Sequence, residues 1–194
     1  PAKAPPGLGS RLRMELELLL EREPWRQALA NLQGWGGLAL LDAQLQQDCR
    51  CRLRLVWAQR LGLPLLTALL AGAAEPLALA HRLHLPRHQV KLLSQFIELR
   101  LLLAEASPSL PSAWCALLET PGLAPQAVAL AIASGVAPRR PLLHWYYRWR
   151  HLKGPLSAEQ LMQQELLRPG PQLGERLRQL RAERLDELGQ SQSF

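Results

Sequence analysis

Residues that favour sheets are nearly missing from this chain: Val56, Val90, Val128, Val136, Ile97, Ile132, Thr67 and Thr120 are its only β-branched residues in a length of 194. So few side chains suited to a pleated surface exclude a β architecture. Aspartate is just as scarce. Asp42, Asp48 and Asp186 lie far apart, so there is no closely spaced aspartate pair to hold the two metal ions of phosphoryl transfer. Their expected task is helix capping. A Walker lysine loop, a Gly-x-Ser-x-Gly elbow and a His-Glu-x-x-His motif are absent as well, and no catalytic residue is assigned.

Cysteine is limited to Cys49, Cys51 and Cys115, and an odd count with one Cys-x-Cys pair makes neither a disulfide framework nor a zinc site. Buried or half-buried structural thiols in a reducing, cytoplasmic setting are the expectation. His81, His84 and His88 have spacings that suggest a metal site, but Pro86 breaks the helical geometry between the last two, and solvated histidines are favoured. No metal ligand is therefore assigned. Uncharged stretches such as Leu61 to Ala74 and Pro121 to Pro138 are interrupted by Pro64, Gly122, Pro125 and Gly135, so no membrane span is expected. Pro1 to Ser10 lacks the apolar stretch of a signal peptide, and none is expected.

Positive charge is what the chain has in excess. Twenty-three Lys and Arg against sixteen Asp and Glu give +7, and all the cations except Lys3, Lys91 and Lys153 are arginine. An anionic partner follows, and arginine suits RNA because its planar fork grips phosphate bidentately and stacks on bases.

Apolar residues recur at helical spacing between Pro and Gly punctuation, so the fold class is all-α, an irregular bundle or elongated array of short helices. The spacing predicts helices over 11–22, 25–32, 38–45, 49–61, 64–71 and 76–83, then a long one over 87–106 whose Leu92, Phe96, Leu99 and Leu103 form a buried stripe. Short helices over 114–118 and 126–134 are apolar enough to sit inside. Ser157 and Gln160 form a capping box, and a final helix over 172–188 buries Leu173, Leu177, Leu180 and Leu185. The expected organisation is a linker or disordered start at 1–9, a helical region at 10–136, a helical tail region at 137–188 carrying a basic helix, and a frayed end at 189–194.

Between Arg139 and Lys153 no acid occurs, while Arg140, His144, Arg148, Arg150 and His151 are interleaved with Trp145, Tyr146, Tyr147 and Trp149. Cations neutralise phosphates and aromatic faces stack on bases or riboses, a mixture suited to RNA. Leu142, Tyr146 and Trp149 at i, i+4 and i+7 read as core. On that reading only the charged face, with His144, Arg148 and His151 at helical spacing, meets a ligand. Arg139, Arg140, His144, Arg148, Arg150, His151 and Lys153, with Gly170 in the turn Pro169-Gly170-Pro171 ahead of a helix N-terminus, are the candidate RNA contacts.

Three passages carry a family resemblance. The run GSRLRMELELLL from Gly9 to Leu20 is similar to a Ser-x-Arg-Ile-x-x-Glu-Leu helix, and Ala80-His-Arg-Leu-His-Leu-Pro86 to an Arg-Leu-x-Leu-Ser segment. The most specific runs from Trp149 through Lys153-Gly154-Pro155-Leu156-Ser157 to Arg168-Pro-Gly-Pro-Gln-Leu-Gly-Glu-Arg-Leu177 and Arg181-Ala-Glu-Arg-Leu-Asp186. Together they resemble the neck, body and tail region of bacterial class II tRNA nucleotidyltransferases, the CCA-adding enzymes, and related poly(A) polymerases. Ala158-Glu-Gln-Leu161 departs from the family's Gly-x-Asp-Leu. The resemblance implies that body and tail hold the acceptor stem and T arm of tRNA while a catalytic head, absent here, uses Mg2+ and CTP or ATP. The chain itself then has no cofactor and no activity in isolation. Its implied partners are tRNA or other structured RNA and a separate catalytic head, with no membrane and no DNA specificity. The alternative is a helical protein-protein interaction scaffold with no RNA ligand, which exposed leucine-rich helices would favour.

Overall fold

Proline is the first residue of five of the described α-helices, because its fixed φ suits a first helical turn whose N–H groups have no partner to lose, and it is the N-cap of three more. The computed structural model describes residues 6–22, 24–106, 108–164 and 169–190. In chain order its α-helices are α1 (Pro6–Glu21), α2 (Trp25–Gly34), α3 (Ala43–Gln47), α4 (Cys51–Arg60), α5 (Leu65–Leu70), α6 (Pro76–Arg82), α7 (Arg87–Glu105), α8 (Pro111–Leu118), α9 (Pro125–Ser134), α10 (Arg139–Tyr147), α11 (Ala158–Gln164) and α12 (Pro171–Gln190). Short 3-10 turns lie at Gly37–Leu40 and Trp149–His151. No strand occurs among the described residues.

The chain divides into two compact units. Residues 1–105 with 124–137 form the first, and 106–123 with 138–194 form the second. The tail unit thus recruits α8 from ahead of residue 137. Residues 6–9, expected as linker, are already helical in α1, while 1–5 and 191–194 lie outside the described residues.

α9 is the centre of the first unit. Ala127 to Ala133 are each at most 4% exposed, so this helix has no solvent face and packs against α7, α4 and α5. Four of its seven buried residues are alanines, which bring the neighbouring helices close. The stripe Leu92, Phe96, Leu99 and Leu103 on α7 is buried as expected. α1 buries Leu16 and Leu20, whereas Leu12 is 40% exposed.

Arg54 closes a different part of this unit. It is 4% exposed, its Nε donates to the Ala68 carbonyl at 2.6 Å and its Nη2 to Leu69 at 3.3 Å. Both carbonyls lie in the last turn of α5, where that of Leu69 also accepts the Gly72 N–H at 3.1 Å, so a cation there supplements the helix end and complements its dipole. Asp48 pairs with Arg54 at 2.6 Å while accepting the Arg50 N–H at 2.9 Å. Gly72 leaves room for this guanidinium, since a Cβ there would overlap Nη2.

The predicted 38–45 helix is instead a 3-10 turn and α3, separated by Asp42, whose carboxylate accepts from Gln44 N at 2.8 Å and Leu45 N at 3.2 Å. In the second unit, Asp186 lies within α12 and caps another helix. It accepts from Ser112 N at 2.9 Å and Ser112 Oγ at 2.7 Å, at the start of α8. Next to that clasp, a Cβ on Gly189 would overlap Pro111, so α12 and α8 approach closely. The capping box at α11 is formed as read, with Ser157 N to Gln160 Oε1 at 2.9 Å and Gln160 N to Ser157 Oγ at 3.2 Å.

Asp186→Ala should cost about 1–2 kcal/mol, the scale of a lost N-cap, in urea unfolding monitored by helical circular dichroism. Thiol reactivity should separate the cysteines. Cys49 is exposed, while burial pushes the Cys51 thiol up to about 11 and the Cys115 thiol up to about 12. One thiol should react with a disulfide reagent in the native protein and three after denaturation, counted by absorbance.

Candidate nucleic-acid interface

The acid-free segment does not form one helix. α10 ends at Tyr147, where Arg148 leaves the helical region at φ −128° and ψ −67°, and the chain makes the 3-10 turn Trp149–His151. His144, Arg148 and His151 are therefore not three positions on one helical face. The break has a tertiary cause. Arg181 of α12 donates from Nε to the Leu152 carbonyl at 2.8 Å and from Nη2 to the Trp149 carbonyl at 3.1 Å, satisfying acceptors that a continuing helix would have used itself.

Arg181 also makes a two-armed ion pair with Glu119, at 2.5 and 2.7 Å. Glu119 follows α8 and accepts the Trp145 indole N–H at 3.1 Å. One guanidinium thus joins α12, the end of α8, α10 and the 149–152 turn. Burial opposes the charge of Glu119, but the hydrogen bonds and charge of Arg181 and the indole N–H outweigh it and hold the carboxyl below its ordinary 4.5. The Glu119 hydrogen bond in turn raises Arg181 above its usual range, against the effect of its own burial.

The aromatics are sorted differently from the helical-spacing reading. Leu142 is buried as expected, but the deep aromatic is Trp145, 2% exposed, while Tyr146 and Trp149 are half-buried. Tyr147 is 56% exposed. The Arg150 guanidinium lies 4.2 Å from the Tyr146 ring centroid and 5.9 Å from Trp145, and its Nε donates to His151 Nε2 at 2.9 Å. His144 packs edge-on against Trp149 with centroids 5.4 Å apart.

Among the candidate RNA contacts, Arg140, Arg148, His151 and Lys153 are exposed, and Arg139, His144 and Arg150 are half-buried. Gly170 is exposed on a separate element, one residue ahead of α12, and Arg168 lies outside the described residues. The structure joins Arg150 to His151 and Tyr146, and His144 to Trp149. Sequence reading missed Tyr147 as an exposed ring and missed the Arg181–Glu119 pair altogether. Sixty-two residues separate the two partners, and no local pattern marks them.

His81, His84 and His88 are all exposed, and no group of three His, Cys, Asp or Glu able to hold a metal occurs among the described residues. No described helix is long and apolar enough to cross a membrane. Protein-family models, curated proteins and solved structures contain no match to this chain.

Because the pKa of Glu119 is depressed on folding, its contribution to stability is complete above its ordinary value and is lost as pH falls through the lower folded value. Glu119→Gln should destabilise the protein by about 1 kcal/mol at neutral pH, with solvent screening limiting the effect. In denaturant titrations the difference from wild type should shrink as pH falls below the ordinary carboxyl value of 4.5 and through the lower folded value.

Proposed function

We propose that this chain binds structured RNA, as the tRNA-holding helical part of a protein related to the tRNA nucleotidyltransferases and poly(A) polymerases. The observation that carries this reading is the segment 139–153. Over fifteen residues it has no carboxylate, and it presents Arg140, Tyr147, Arg148, His151 and Lys153 to solvent. Its backbone is anchored by Arg181, so the exposed cations belong to an ordered surface.

Arginine and lysine here would contact phosphates, and Tyr147 would lie against a ribose or an unstacked base. Such contacts read the spacing of an A-form backbone and its 2′-hydroxyls, so a tRNA stem is held by shape and DNA is disfavoured. Nucleotide, Mg2+ and the chemistry of CCA or A addition belong on this reading to a catalytic head acting with this region. Holding the acceptor stem and T arm presents the 3′ end to that head.

A helical protein-docking scaffold is the second reading, favoured by one observation in the first unit. α1 and α2 enclose a groove of about 650 Å³ lined by Leu12, Leu18 and Trp35, the last 80% exposed, and Leu40 nearby in the chain is 86% exposed.

Binding of tRNA by the triple variant Arg140→Glu, Arg148→Glu and Lys153→Glu separates the readings. Each side chain is exposed, so helicity by circular dichroism should be retained. Affinity at moderate salt should fall by roughly one to two orders of magnitude, and the slope of log affinity against log salt should shrink by about 2–3, at ~0.7–0.9 per lost phosphate contact. Undiminished tRNA affinity in the folded variant would favour the scaffold.

A further inference from the structure

The first unit contains a second concentration of arginine that the tail segment does not explain. A cleft of about 590 Å³ opens between the α3–α4 connection, the turn after α5, α7 and the C-terminal end of α9. Arg50 and Arg54 line it from the start of α4 and Arg100 from α7, and among the described residues Asp48 is its sole lining carboxylate. The Asp48 carboxylate is already committed to Arg54 and to the Arg50 N–H. The cleft therefore carries an excess of two positive charges in a concave space, where low-dielectric walls strengthen their mutual repulsion.

Two glycines shape the cleft around these cations. Gly135, at φ 71°, ends α9 in the left-handed region, and a Cβ there would overlap Nη2 of Arg50, so the Arg50 fork lies directly over this turn. Gly72 makes the same allowance for Arg54. Arg100 projects from α7 with its guanidinium 6.0 Å from the Phe96 ring centroid. An independent observation comes from Ser134, which also lines the cleft. Its hydroxyl is buried and has no hydrogen-bond partner among the described residues, a cost that a bound acceptor would remove.

We propose that this cleft is a phosphate site, taking inorganic phosphate or a phosphate monoester. Arg50 and Arg100 supply the charged forks, Ser134 donates its O–H, and Arg54 contributes a fixed positive field. A monoester carries about −1.5 to −2 charge at pH 7, which balances the excess of two. Donors arriving from separate segments suit a tetrahedral group with several oxygens better than a planar carboxylate. The site belongs to the first unit and stands whether or not the 139–153 surface binds RNA.

Isothermal titration of the full chain with inorganic phosphate, at ionic strength held constant with sodium chloride, tests this directly. Saturable one-site binding is expected. Arg50→Ala/Arg100→Ala should weaken it about ten- to a hundredfold and Ser134→Ala about two- to tenfold, consistent with loss of charged and neutral hydrogen bonds respectively. The triple variant at 140, 148 and 153 should bind phosphate as wild type does. If the double variant loses helicity, the two single variants are read separately, since both arginines are exposed. Titrations with 5′-AMP and with a short RNA bearing a 5′-phosphate or a 5′-hydroxyl identify the source. Binding of all three phosphate forms alike means a free anion or nucleotide, and binding confined to the 5′-phosphorylated RNA means an RNA end. Lack of saturable binding of any of these probes, or equal affinity in folded arginine variants, would overturn the proposal.

Discussion

A helix without a polar face has to be enclosed on every side, and α9 imposes that condition on the first unit. With Ala127 to Ala133 all buried, exposing any side of it would return apolar surface to water at roughly 25 cal/mol per Å². Neighbours are therefore needed around its whole circumference, and α4, α5 and α7 supply them. The buried stripe of α7 is apolar, as is all of the buried α5 segment Leu65 to Leu70 except Thr67, whose hydroxyl donates to Gln89 Oε1 at 2.9 Å. Alanine matters because it brings helix axes close while leaving no long side chain to accommodate.

In both units arginine completes backbone carbonyls at the end of a helix or turn. Arg54 takes the last carbonyls of α5, while Arg181 takes the carbonyls of the 149–152 turn. Each is also paired with a carboxylate, Asp48 and Glu119 respectively. A five-donor fork can meet several fixed acceptors at once, which an ammonium on a flexible stem does less well. The preference for arginine over lysine is thus partly structural. Other exposed cations are spread over both units, and those of the 139–153 surface and of the cleft lined by Arg50 and Arg100 are among them.

Both regions depend on backbone held from elsewhere in the chain. The 139–153 surface consists of a helix and a tight turn because α12 reaches back to take its carbonyls, and the cleft exists because Gly72 and Gly135 yield space to guanidinium groups. Their exposed cations accordingly sit on ordered backbone, which would lower the conformational entropy lost on the proposed phosphate contacts.

Helix class, most helix positions, the α7 stripe and the Ser157–Gln160 capping box were legible in the sequence, because 3.6-residue periodicity, proline starts and short-range side-chain caps are encoded within a few residues of where they act. The acid-free stretch was legible for the same reason. Tertiary structure alone decided that α10 stops at Tyr147, that Trp145 is the deep aromatic and Tyr147 the exposed one, and that Asp186 caps α8 from within α12. It also brought Glu119 to Arg181, and Arg50, Arg54 and Arg100 around one cleft. In each case the deciding partner lies on another part of the chain, and periodicity records which face of a helix is buried but not what it is buried against.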